Sequence, residues 1–444
     1  MGILPQRPLY RRLLILGGLL GVVSVALGCW AIYSRSSLSG RIEAIRAAGC
    51  PATIPDLAPK PIPAEDDAAA QLAAVAERFD EFAREQGRFY KTPAGLAYEE
   101  RRVRNEAAAL EELAAIRAIV EQYPDLDAAI ERAASRQAYA SRLDFSLPQP
   151  QFLQAMIDRS SDIRTVARFV QWQMELAIAE GRSDMAAEKG IQLLRLAALY
   201  DAEPGLNHSL VAMVVRQHAA SGIYDALVAD ENHSVTPELR RQLDLELIRF
   251  DPQETLRHAI TTERACVISA VQAHIGGMSA IVANTVGLPM KAIYVESIDV
   301  IEPVLELVDQ PWHETFAPSN QNVLQGTAGL GVFASQMASA FKAQFDAAHR
   351  TSAVLRSLRA FNALQRYAEE HGAEAAGLAD LQLPAEATVD PFTGKPLIAK
   401  SVDGSWSVYS VGKDGVNDGG EFATPKDSGV GPSKPVAVSP EAED

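Results

Sequence analysis

Cysteine is scarce, with three in 444 residues. Cys29 lies in an apolar N-terminal run, which leaves Cys50 and Cys266 as the one pair able to form a disulfide in an oxidising compartment. Nothing in the sequence brings these two together, and Cys266 reads as a buried free thiol. No C-x-x-C pair occurs, nor H-E-x-x-H, G-x-S-x-G, a Walker loop or a dinucleotide fingerprint. The glycines of "GTAGLGVF" (326–333) lack a following Lys-Ser/Thr and read as a close helix crossing. Basic runs are missing outside the N-terminus. With a net charge of −16 and a pI near 5.1, this argues against nucleic acid, whose phosphates need Lys and Arg. No repeat recurs at 34 residues, so a solenoid is not supported. What remains is an ordinary globular balance, 48% hydrophobic and 22% charged, enough for a real core.

The apolar N-terminal run has no acidic residue. "MGILPQRPLYRR" carries Arg7, Arg11 and Arg12, and Leu13 to Tyr33 follows without a charge. About 21 residues at 1.5 Å each cross ~30 Å of hydrocarbon. The arginines hold the N-terminus in the cytoplasm and place the rest outside. A cleaved signal peptide fits less well, because the run exceeds a usual h-region and lacks a clean A-x-A site. "ALGC" ending at Cys29 is only a loose lipoprotein box. A prepilin leader would need an acidic residue in the run.

Beyond the anchor, Pro51, Pro55, Pro59, Pro61 and Pro63 forbid regular helix, and Asp66 or Asp67 is placed to cap the helix that follows. From there to about residue 370 the pattern is helical. Leu110, Leu113, Ile116, Ile119 and Val120 recur at spacings of three and four, the mark of an amphipathic helix. Pro148 and Pro150 suggest a division between two helical subdomains. Residues 169–200 read as a helical hairpin turning at Gly181 to Asp184. The apolar stretch 266–289 raises a second span, but Gln272, His274 and Asn284 argue for a buried or contact helix. Eight histidines are scattered. Glu254 and His258 stand at i,i+4, a helix-surface spacing, and Glu263 reads as a buried ion-pair partner for an arginine.

Near the C-terminus, Val354, Leu355, Leu358, Phe361, Leu364 and Tyr367 share a helical face that stops at Gly372. "VDPFTGKPL" is a turn built on Asp390, Pro391 and Gly394, with Pro396 resetting the chain to extended. "LIAKSVDGSWSVYSV" reads as two strands about Asp403-Gly404, with Trp406 and Val408 on one face and Tyr409 and Val411 on the other.

Tyr367, Gly372, Leu378, Leu381, Pro384, "DPFTGKPL" and "YSVGKDGVNDGG", in this order, resemble the C-terminal part of type II secretion system protein G, the major pseudopilin. The resemblance covers about residues 350–422. It implies a small sheet packed on a helix and calcium in the last loop, with Asp414, Asn417, Asp418 and Glu421 as the candidate ligands. The chain departs from that family in two ways. Residues 34–349 intervene between anchor and module with no prepilin leader, and the late Asp of the loop is missing. From Asp414 the EF-hand pattern fails, because its third position is Val416 and its twelfth is Pro425. The alternative is a glycine-rich turn whose Asx side chains bond their own backbone. The whole layout also resembles uncharacterised bacterial membrane-anchored envelope proteins.

The expected fold is mainly α: a cytoplasmic tail (1–12), a transmembrane signal anchor (13–33) and a multi-helix extracytoplasmic domain (34–349). A small α+β pseudopilin-like module (350–424) and a disordered tail (425–444) complete it. The expected protein sits in the inner membrane as a single-pass, N-in chain. Its expected role is non-catalytic, with envelope or secretion proteins as partners, no nucleic acid, and no cofactor unless the loop takes calcium. The competing expectation is an extracytoplasmic enzyme with an unrecognised site in the helical domain. A filament subunit is disfavoured by the missing prepilin leader.

Overall fold

The computed structural model describes residues 38–104, 106–230, 233–276, 298, 300–320, 322–323, 332–402, 405–420, 422 and 427–432. The expected anchor (13–33), the glycines of 326–331 and the apolar stretch after Gly276 lie outside the described residues. Among those described, no helix is long and apolar enough to cross a membrane. The protein is mainly helical, with one three-stranded antiparallel sheet near its C-terminus.

The helices are α1 (38–47), α2 (Ala68–Ala73), α3 (Ala76–Phe89), α4 (Pro93–Arg104), α5 (Leu110–Val120), α6 (Pro124–Ala134) and α7 (Gln149–Ala179). They continue with α8 (Ser183–Tyr200), α9 (Leu206–Val228), α10 (Pro237–Leu247), α11 (Pro252–Gly276), α12 (300–308) and α13 (Val332–His371). Asp67 is the cap of α2: its Oδ1 accepts from Ala69 N at 3.0 Å, as a short carboxylate before a helix should. Pro150 sits in the first turn of α7, where a missing N–H costs nothing. Gly181, at φ 70°, turns α7 into α8 as the hairpin pattern requires.

The prolines at 148 and 150 do not divide the body. Trp172 on α7 is 1% exposed and packs edge-on against Phe82 and Phe89 of α3, each 5.5 Å away between ring centres. One apolar cluster therefore runs across the proline segment. In α5, Leu113 and Ile116 are buried but Leu110 is 85% exposed, because the first turn projects past the neighbours that cover the second.

A second cluster joins Leu38 and Ile42 of α1, Ile260 and Ile268 of α11, Ile301 and Val304 of α12, and Phe341 and Phe345 of α13. The later half of α13 enters the first cluster through Leu355, Leu358, Phe361 and Leu364. A single helix thus runs through both cores. It is tied to α10 by Arg240, 2% exposed, whose guanidinium donates to Asn362 Oδ1 (3.1 Å), Gln365 Oε1 (3.0 Å) and Glu369 Oε1 (3.0 Å). Cys50 and Cys266 are free thiols, the latter buried.

His349 on α13 is fully buried and stacks on Trp312, with 3.9 Å between ring centres and 9° between planes. Its ring nitrogens lie 2.7 Å from Phe345 O and 2.9 Å from Trp312 O. Burial pushes its pKa down to about 4, against these two carbonyls, which favour the cation. A folded value below the unfolded one means that the fold disfavours the proton. Its contribution is therefore present above about pH 6.5 and is lost as pH falls toward 4. Between pH 7 and pH 5 the wild-type chain should lose about 2 kcal/mol more stability than His349→Gln. Urea unfolding midpoints at the two pH values check this; parallel losses in both proteins would refute it. Comparing the two proteins cancels the opposite contribution of Glu263 and Asp244, whose pKa values burial raises.

The sheet has β1 (Ile398–Val402), β2 (Ser405–Ser410) and β3 (Ser428–Val430) in that order. Val402 pairs with Ser405, which leaves two residues for the hairpin turn, as the Asp-Gly signal requires. β3 corrects the expected disordered tail from residue 425. Tyr409 pairs with Gly429 and Val408 with Val430, and residues 427–431 are buried. Small residues make this strand: a Cβ on Gly429 would stand 2.2 Å from Val408 O. That composition carries almost no hydrophobic signal in the sequence.

Candidate functional site

The C-terminal module is organised by one buried carboxylate. Asp390, 2% exposed, accepts from Phe392 N (2.8 Å), Ser410 Oγ (2.8 Å) and Val411 N (3.1 Å). It thereby fixes the "DPFTGKPL" turn to the end of β2. Gly394, at φ 70°, faces the His313 ring, which would lie 2.9 Å from an added Cβ. The turn therefore presses directly on the segment preceding α13.

After β2 the chain makes the loop singled out for calcium. Asp414 Oδ1 accepts from Val416 N at 3.0 Å, and Asn417 Oδ1 accepts from Gly419 N at 2.9 Å and from the Tyr409 hydroxyl at 3.1 Å. These are side-chain turns of the kind Asp and Asn form locally. Both side chains are exposed, Asp418 is half-buried, and Glu421 lies outside the described residues.

The acid that sequence reading missed is Asp427. It is 2% exposed, and its Oδ2 accepts from Gly420 N at 2.9 Å. Its pKa is pushed up, first by burial and then by the charges of Asp418 and Asp414. Its Oδ1 has no hydrogen-bond partner. Gly420, at φ 78°, allows the approach, since a Cβ there would lie 2.9 Å from the Tyr409 ring. The residue next to β3 thus places an acid against the loop. The only sequence signal for it was an Asp followed by Ser-Gly-Val in a stretch read as tail.

Among the described residues, no three His, Cys, Asp or Glu side chains form a group able to hold a metal. What the fold does bring together is Asp418, Asp427 and Asp414, with one buried unpartnered oxygen on Asp427. Calcium needs six to eight oxygens. Asp418 and Asp427 are the two acids that the fold sets against each other here. Asp414 and Asn417 are occupied by their turns.

The histidine-rich segment of α11 is structural in a different manner from that expected. Glu263 makes no ion pair among the described residues; its Oε2 accepts from Leu206 N at 3.1 Å. The reason is Gly205, the residue before α9, which has no side chain to cap that helix. Thr262 Oγ1 accepts from Gly205 N at 2.8 Å, so α11 caps α9 from outside. Arg264 pairs with Glu302 instead, at 2.6 Å. His258 is half-buried with its pKa lowered by burial, so it does not act as the exposed partner of Glu254.

Near this corner, Glu203 is 1% exposed and accepts from Arg159 Nε at 2.8 Å, Ser141 Oγ at 2.5 Å and the Tyr139 hydroxyl. Burial alone would raise its pKa, but Arg159 and then His208 hold it below the usual carboxylate range. All of its acceptor capacity goes to the protein, which marks a structural anion.

Comparison of the chain with protein-family models, curated proteins and solved structures finds no match.

Proposed function

We propose that this is a non-catalytic, membrane-anchored envelope protein whose helical body and pseudopilin-like module together present surfaces to other envelope proteins. The anchor at 13–33 holds it in the inner membrane, N-terminus in, with the bulk of the chain outside. The observation that supports a contact role over filament assembly is the continuity of α13. Leu355, Leu358 and Phe361 share one apolar cluster with Val408 and Val430 of the sheet and with Trp172 of the body. The module is fixed to a large helical mass, whereas a filament subunit needs it on a free membrane helix. Secretion or pilus-like machinery is the partner class, by the resemblance of residues 350–422. A calcium ion at Asp418 and Asp427 would tie the loop to β3, by cancelling the repulsion between the two acids.

Detergent-solubilised pull-down of the full chain with mass spectrometry tests the reading. Recurrent recovery of secretion-system components supports it. Their absence, together with turnover of any substrate by the purified protein, overturns it.

A further inference from the structure

Two long helices of the body, α7 and α9, run parallel and side by side. Asn207 Nδ2 donates to Ser160 Oγ at 2.7 Å, and further along both helices a Cβ on Gly222 would stand 2.4 Å from Met174 Cε. Such a pair has a furrow on each side. α8 fills one of them, with Gly190 set so deep that a Cβ there would lie 2.3 Å from Ile223 and 2.8 Å from Met174. The other furrow is bordered by exposed residues. On α7, Leu153, Ile157, Arg164 and Arg168 recur at spacings of four, seven and four, and all are exposed. Ile157 is three residues before Ser160 and Arg164 four after it, so this row borders the one that touches α9, on the side away from α8. On α9, positions 207, 214 and 221 recur at seven and are exposed on the same side.

The apolar members line a furrow instead of standing singly on a surface: Ile157 is 54% exposed and Val214 39%. α4 closes the far end, where the Tyr98 hydroxyl donates to Glu175 at 2.8 Å. From Leu153 to Arg168 the open part runs for about 20 Å, room for about four turns of a third helix.

The charges on this row have no answer within the chain. Arg164 and Arg168 stand one turn apart, and among the described residues neither makes an ion pair or a hydrogen bond. Like charges at this spacing weaken a helix. Elsewhere the same spacing joins an arginine to an acid, as in Arg104 with Glu100 and Arg350 with Asp346. A net charge of −16 leaves acids in plenty, yet none reaches these two guanidinium groups.

We propose that the furrow between α7 and α9, on the side away from α8, docks an acidic amphipathic helix of a partner protein. Its apolar side rests on Ile157 and Val214, and its carboxylates meet Arg164 and Arg168. A helix fits because the bordering rows repeat about every seven residues, the period at which a third helix presents one face. A second copy of this chain fits less well, since a twofold pair would set the patch against itself and bring four guanidinium groups together. The proposal rests on the contact role given above and names the surface and the chemistry of the partner.

The test uses the full chain in phosphatidylcholine nanodiscs and two fluorescent synthetic peptides of 21 residues. Both carry leucine at the first and fourth positions of each heptad; one has glutamate at the flanking positions and the other lysine. Fluorescence anisotropy should show saturable binding of the glutamate peptide and at least about tenfold weaker binding of the lysine peptide. Arg164→Glu/Arg168→Glu should exchange the preference, and Ile157→Ser should weaken the glutamate peptide in the unreversed chain. All three side chains are exposed, so the core is left intact. No saturable binding, equal binding of the two peptides, or a preference unchanged by charge reversal overturns the proposal. So does a dimer in sedimentation that the same reversal dissociates, because the occupant is then a second copy. Failure here with secretion components still recovered by pull-down removes this surface and leaves the contact role standing.

Discussion

Arg159→Met should cost about 3–5 kcal/mol of stability, the usual penalty for stranding a buried charge. Glu203 is 1% exposed and tied to Arg159 at 2.8 Å, so removing the guanidinium leaves a carboxylate with no countercharge in contact. The hydroxyls of Tyr139 and Ser141 still donate to it, but they bring no charge. Urea denaturation at pH 7 reads the loss as a shift in midpoint. Arg159→Met/Glu203→Gln should be the more stable of the two variants, because the uncharged amide no longer needs a partner.

The pH dependence of Arg159→Met carries the sign of the effect. Arg159 is what holds the Glu203 pKa down against burial. In the wild-type protein a depressed carboxylate contributes above its unfolded value and is lost as pH falls through the folded one. Without Arg159 the value rises, the folded state takes up a proton more readily, and acidification from pH 7 to pH 5 should narrow the gap to wild type. A gap that widens, or a loss under about 1 kcal/mol at pH 7, would show that Glu203 is already solvated.

Gly429→Val should unseat β3. The new Cβ would lie 2.2 Å from Val408 O and 2.6 Å from Tyr409 Cα, and these are main-chain atoms of a paired strand that have no room to retreat. Overpacking of this kind costs about 1–3 kcal/mol where a core yields, and a rigid strand yields less. With β3 goes Asp427, the residue that fastens Gly420. Limited proteolysis should then cut within 412–432, while α13 and its contacts to α9 and α10 survive. A variant as resistant as wild type across that segment would mean that β3 is not needed to close the loop.

Calcium offers the matching measurement on the intact strand. If the ion bridges Asp418 and Asp427, saturable calorimetric heat at millimolar calcium should vanish in Asp427→Asn, while Asp414→Asn retains it. The opposite ranking would return the site to the residues singled out from sequence.

Much of the architecture was written locally. Three-and-four spacing located the face of α13 from Val354 to Leu364, an Asp-Gly pair set a two-residue turn between β1 and β2, and Gly181 closed the α7–α8 hairpin. Each of these depends on residues within a few positions, whose backbone preferences act whatever the rest of the chain does. The helical content and the antiparallel hairpin were legible for that reason.

Tertiary structure decided which polar groups meet, and there local pattern had no purchase. Glu263 looked like an ion-pair partner because an acid in an apolar helix needs company. It became a cap because Gly205, far away in sequence, left α9 without one. Asp427 read as tail because Ser-Gly-Val carries little hydrophobic signal, yet only a residue without a Cβ fits where Gly429 meets Tyr409. The sequence by itself determined a mainly helical chain ending in a hairpin. The partners of Glu203, Glu263 and Asp427 were settled only when distant segments packed, because burying a charge or an N–H makes its partner compulsory without saying where in the sequence that partner stands.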